Sequence, residues 1–180
     1  MPNIVTFPFP DRPSTEEQIN QVIPILNYLH INNRELSGFS GDCWAAAYAI
    51  NKVIFNSEAQ VIAALNEAAY LHANRSLGHV AVHYLTDEQG TDFIDMKGFK
   101  DSELIESWGM LAPDDYNYIE LFEENNVALT DEAFYNVTWV SYSMEEIEEL
   151  IDSKILNDYV NGFENAKKQV FPPAKKLKIK

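Results

Sequence analysis

The rhythm of apolar and polar positions changes several times along this chain, and each change predicts a change of element. A proline-punctuated opening (Pro2, Pro8, Pro10, Pro13) is expected to be extended. Ser14 and Glu17 then stand three apart ahead of Ile19, Val22, Ile23, Leu26 and Leu29, which predicts a capped amphipathic helix kinked at Pro24. The polar, glycine-bearing stretch from Asn32 to Gly41 reads as a loop. From Cys43 to Phe55 nearly every position is apolar, and a helix apolar all round is buried on most sides. Its four alanines let neighbours approach closely. Helical spacing is read again from Ser57, through Val61, Ile62, Leu65, Ala68, Ala69 and Leu71, ending near Asn74-Arg75-Ser76.

Gly78 breaks that pattern. Val80 to Thr86 reads as a strand, Asp87 to Gly90 as a reversal, and Thr91 to Met96 as the returning strand of a hairpin. Residues 101–107 suit a short helical turn, and Asn136 to Val140 is strand-like. Ser143, answered by Glu146, opens a last helix with Met144, Ile147, Leu150, Ile151 and Leu156 on its buried face. The aromatic set Trp108, Tyr116, Tyr118, Phe122, Phe134, Tyr135 and Trp139 is expected in the core and in pocket walls. Helices, then a sheet, then a closing helix predict an α+β fold.

At 180 residues the chain fits one domain, taken as residues 1–165, with a basic tail over residues 166–180. That tail holds six lysines and no acid, so the net charge of −15 resolves into −21 on the body and +6 beyond it. An acidic body argues against duplex nucleic acid, which needs a basic face. The single cysteine excludes an internal disulfide or a site of several thiolates, and fits a reducing compartment. Residues 1–13 lack the basic and apolar regions of a secretory signal, and no apolar run reaches the ~20 residues of a membrane span. A cytoplasmic protein free of membranes is the expectation.

Three blocks carry candidate chemistry. Ser40-Gly41-Asp42-Cys43-Trp44 places Cys43 where a turn opens into a helix, so unpaired N–H groups and the macrodipole favour a thiolate there. Gly78-His79-Val80-Ala81-Val82-His83 supplies a base, and Phe93-Ile94-Asp95-Met96-Lys97-Gly98 an acid to orient it. His79, Ala81 and His83 share one strand face, as do Thr91, Phe93 and Asp95. If the hairpin turns these faces to the same side, Asp95 lies opposite or diagonal to His79. His83 is the alternative base, and Asp92 replaces Asp95 if the register slips by one. His79, His83 and Asp95 would also make a two-histidine, one-carboxylate metal set, but that leaves Cys43 without a role, so no metal or cofactor is expected.

Together the three blocks, over roughly residues 38–99, resemble those of papain-like cysteine enzymes. The likeness is to the compact kind: NlpC-type peptidases and the small Cys-His-Asp proteins of many bacteriophages and bacteria. The resemblance implies a nucleophile helix packed on an antiparallel sheet, with Cys43 as nucleophile, His79 as base and later acid, and Asp95 as orienter. It implies acyl transfer through a Cys43 thioester from a protein or peptide-like substrate, as in a peptidase, amidase, deamidase or transglutaminase. The chain departs from the papain pattern in having no glutamine shortly before the cysteine. Asn33, Ser37 or backbone groups are the candidates for that oxyanion donor. Asp42 opposes a thiolate unless its charge is spent in capping the helix. A different class is the acidic interaction protein, an inhibitor or accessory factor that occupies a partner's basic groove. It would tolerate Cys43→Ser, whereas an enzyme would not.

Overall fold

The strand Gln60–Asn66 (β2) is central to a six-stranded sheet and runs through residues whose spacing suggested a helix. In the computed structural model, which describes residues 3–4, 14–36, 42–72, 78–85, 91–111 and 116–174, Val61, Ala63 and Leu65 enter one apolar cluster. Ile62 and Ala64 enter another on the opposite face. A strand buried on both faces shows no alternation, so its apolar run cannot be told from a buried helix by periodicity. Asn56 and Ser57, with φ of 53° and 62°, turn the chain out of the preceding helix, and helical structure resumes only at Glu67–His72 (α3).

The sheet order is β1 (Asn3–Ile4), β6 (Val137–Tyr142), β2, β3 (Gly78–Leu85), β4 (Thr91–Asp95) and β5 (Gly98–Asp101), antiparallel at every described pairing. On one face Val61, Val80, Val82, Ile94, Val140 and Tyr142 pack with α2 (Cys43–Ile54). Behind that helix lie α1 (Glu16–Asn32) and α8 (Ser153–Val170). The other face is covered by α4 (Ser102–Gly109), whose Ile105 sits over Ala64, Ala81 and Phe93. A smaller cluster joins α3 to α5 (Tyr116–Glu124) and α6 (Asp131–Tyr135). Asn66, fully buried, ties it to the sheet: its amide donates to the Ala133 and Phe134 carbonyls and its oxygen accepts from the Ala69 N–H. The fold is α+β with an antiparallel sheet.

Helix starts follow capping chemistry with one shift of phase. Thr15 and Gln18, rather than Ser14 and Glu17, close the capping box of α1, because Thr15 is the residue held in extended backbone. The shift turns Ile25 into the core and leaves Ile23 outward. Ser143 and Glu146 form the expected box, but the helix they open, α7 (Met144–Leu150), is short. Asp152 then caps α8 separately, so the single closing helix read from the sequence is two. Residues 166–170, at the head of the basic tail, are the last turn of α8, and Ala166 is fully buried. Lys175 to Lys180 lie outside the described residues.

Among the described residues no helix is long and apolar enough to cross a membrane. One close approach fixes where β3 begins. A Cβ on Gly78 would stand 1.9 Å from the Ala64 carbonyl oxygen and 2.9 Å from the Leu65 Cα, both backbone atoms that cannot swing aside. Gly78→Ala should therefore force β2 and β3 apart at the residue beside His79. The expected cost is about 3 kcal/mol in equilibrium urea unfolding, and wild-type stability in the variant would contradict the packing.

Candidate active site

Cys43 is the first residue of α2 and is half-buried at the edge of the main apolar cluster. The helix behind it is covered nearly all round, as its apolar run demands. Asn51 pins its far end: both ends of the amide bond the backbone of Ala59, just before β2.

His79 is the second residue of β3, and Asp95 the last of β4. His83 pairs with Phe93 and Val82 with Ile94, a register that, continued by two places, sets Asp95 opposite Ala81. His79 is thus diagonal to Asp95 on the same face, and its Nε2 lies 3.0 Å from Asp95 Oδ2. The second carboxylate oxygen accepts the Lys97 N–H at 2.8 Å, in the turn that leads to Gly98. Gly98 has a φ of 104°, a left-handed conformation that a side chain would strain. The acid is therefore held through Oδ1 by the backbone while Oδ2 meets the imidazole.

Nε2 is committed to Asp95, which leaves Nδ1 as the other ring nitrogen, and Cys43 is near enough to His79 to act on its ionisation. Burial by itself would lower the His79 pKa. The hydrogen bond to Asp95, the interaction with Cys43 and the charge of Asp95 outweigh it only together. The net effect raises His79 from 6.5 to about 9. At neutral pH the ring is therefore an imidazolium.

Trp108, in the last turn of α4, meets the His79 ring edge-on at a centroid distance of 4.7 Å and an interplanar angle of 89°. It is one-third exposed, so it lies between the ion pair and solvent. Sequence reading placed Trp108 only in a general aromatic set. Its distinguishing signal is the three-residue spacing from Ile105, which fixes one α4 face on the sheet and carries Trp108 to the strand ends.

The structure brings His79 and Asp95 together beside Cys43 and sets His83 and Asp92 apart from them. His83 is fully buried four residues further along β3, its ring tilted against Phe93 at 5.2 Å. Asp92 pairs with Tyr84 and Asp101, three residues from Asp95 along β4. Among the described residues no three His, Cys, Asp or Glu side chains are grouped to hold a metal ion. Asn33 follows the end of α1 and lines a cavity of about 640 Å³ with Leu36, Asp42, Tyr159 and Gly162. Ser37 lies outside the described residues, as does Gly41. Asp42 does not cap α2. Its Oδ2 accepts the Tyr159 hydroxyl at 2.9 Å, a partner on α8 that no local pattern indicated.

A second cavity, of about 520 Å³, opens toward the other end of α2 between Tyr48, Lys52, Tyr142 and Glu148. There the Tyr48 hydroxyl donates to Glu148, and burial followed by that acidic partner pushes Tyr48 up to about 12. It is separate from the cysteine–histidine pair. Comparison with known protein families, curated proteins and solved structures finds no match to this chain.

The raised His79 pKa has a signed consequence for stability. A group whose pKa is higher folded than unfolded contributes fully below its unfolded value, here 6.5. The contribution is lost as pH rises through the folded value of about 9. In Asp95→Asn the charged hydrogen bond is gone. Urea unfolding should find wild type more stable than the variant by about 2 kcal/mol at pH 6, with the gap closing above pH 9. A gap that stays constant or widens with pH would contradict the assignment.

Proposed function

We propose that the protein is a papain-like, cysteine-dependent hydrolase or acyltransferase that works through a thioester on Cys43. The observation that carries this reading is the His79 ring held between Asp95, at 3.0 Å, and the Cys43 side chain. An apolar helix opened by the nucleophile, packed on an antiparallel sheet that supplies base and acid from successive strands, is the arrangement the resemblance leads one to expect.

The chemistry follows from the charges. The Cys43 thiolate attacks a carboxamide carbon: an S–C bond forms and the carbonyl electron pair moves onto oxygen. Cys43 N–H, at the start of α2, is one donor for that oxyanion. As the tetrahedral species collapses, the C–N bond breaks and the His79 imidazolium gives its Nδ1 proton to the departing amine. The thioester sulfur is neutral, so its hydrogen bond and charge no longer raise the His79 pKa. His79 then serves as the base, taking a proton from the incoming water or amine. Acyl transfer expels the thiolate, and the proton on His79 restores the starting pair. Asp95 keeps Nδ1 aimed at the reacting atoms throughout. Water as acceptor gives a peptidase, amidase or deamidase, and an amine gives a transglutaminase. The net charge of −15 favours cationic or neutral peptide-like substrates over acidic ones.

Alkylation by iodoacetamide across pH tests the reading. Wild-type Cys43 should react fast below pH 7, and His79→Ala should move the profile to that of an ordinary thiol near pH 8.5. Equal profiles in the two proteins would remove the base. The acidic surface, as a binding face for a basic partner, would then be the better account.

A further inference from the structure

The residue before the nucleophile has an unusual arrangement. Asp101 and Asp152 both precede helices, and both turn their carboxylates onto their own first turns, accepting from Leu104 N–H and Lys154 N–H. Asp42 precedes α2 and does not. Its ψ is 0°, its side chain makes no cap, and its carboxylate accepts the hydroxyl of Tyr159 instead. Tyr159 is 2% exposed and belongs to the core face of α8. A second bond ties the same two helices at the far end, where Lys167 Nζ donates to the Val53 carbonyl at 3.0 Å. The hydroxyl of Tyr159 is therefore held in place by α8 as a whole.

We infer that Tyr159 is a positioning residue for the Cys43 chemistry, keeping the Asp42 carboxylate off the N-terminus of α2. This rests on the function proposed above. An aspartate in the N-cap position normally accepts from the second or third residue of its helix, here Trp44 or Ala45. In that position it would occupy donors that face the reacting oxygen. It would also set a negative charge beside the thiolate, which disfavours ionisation of the sulfur. Binding Asp42 to Tyr159 keeps its carboxylate from accepting the first-turn N–H groups and directs it toward the α8 side of the helix end. Asp42 opposes a thiolate unless its charge is spent, and the phenol of Tyr159, rather than the helix end, takes up that charge.

Tyr159→Phe removes one oxygen and keeps the buried ring. Two measurements on this variant, on Asp42→Asn/Tyr159→Phe and on wild type decide the matter. Released from the phenol, Asp42 should cap α2. Alkylation of Cys43 at pH 7 should then slow about two- to fivefold with its profile displaced to higher pH, and amide exchange at Trp44 and Ala45 should slow as well. The double variant, whose side chain at position 42 is neutral, should recover the wild-type alkylation profile. An unchanged profile with unchanged amide exchange in Tyr159→Phe overturns the inference, and so does slowed alkylation that Asp42→Asn fails to restore. Wild type lacking His79-dependent reactivity would remove the enzymatic reading instead. Amide exchange at Trp44 and Ala45 would still decide whether Tyr159 restrains Asp42.

Discussion

A helix that is apolar on nearly all sides has to be covered on nearly all sides, and covering α2 organises this molecule. The sheet takes one flank through Val80, Val82 and Ile94, and α8 takes the opposite one through Tyr159, Val160 and Phe163. Ala45, Ala46, Ala47 and Ala49 keep both neighbours close, at the cost of little side-chain entropy. Burial leaves the helix no freedom to slide, so its first residue, Cys43, has a fixed address relative to the strands. The start of β3 is fixed in turn by the contact of Gly78 with the Ala64 backbone. Nucleophile and base are thus placed by packing that involves neither of them.

The electrostatics of the site builds on that placement. A carboxylate held by a backbone N–H and an imidazole ring needs little reorganisation to stabilise a positive charge. Asp95 therefore does for His79 what an isolated surface acid could not. Trp108 adds a partial lid, lowering the local exposure in which the pair would otherwise be screened. In the proposed mechanism, acylation removes the sulfur's charge from beside His79, and the same histidine changes from acid to base.

Part of this was legible in the sequence for a physical reason: the Cys43 helix, the 78–95 hairpin and the Ser143 box depend on local pattern. The period of two put His79 and Asp95 on shared faces, and the observed register realises the diagonal alternative. Other features depend on distant partners and carry no local mark. β2 was read as a helix because burial on both faces erases alternation. Capping is the one partner for Asp42 that local pattern offers, because its true partner, Tyr159, lies 117 positions along the chain. His83 looked equivalent to His79 by strand parity, and only depth in the sheet separates them. Trp108 reaches the site through the placement of α4, which periodicity alone could not orient.

The central claim is a charged His79 paired with Cys43, and nuclear magnetic resonance of the His79 ring across pH reads it directly. The account predicts titration near pH 9 in wild type and a marked fall after Cys43 is alkylated, since a neutral thioether withdraws one of the anions that hold the proton. A ring that titrates near 6.5 before and after alkylation would contradict it.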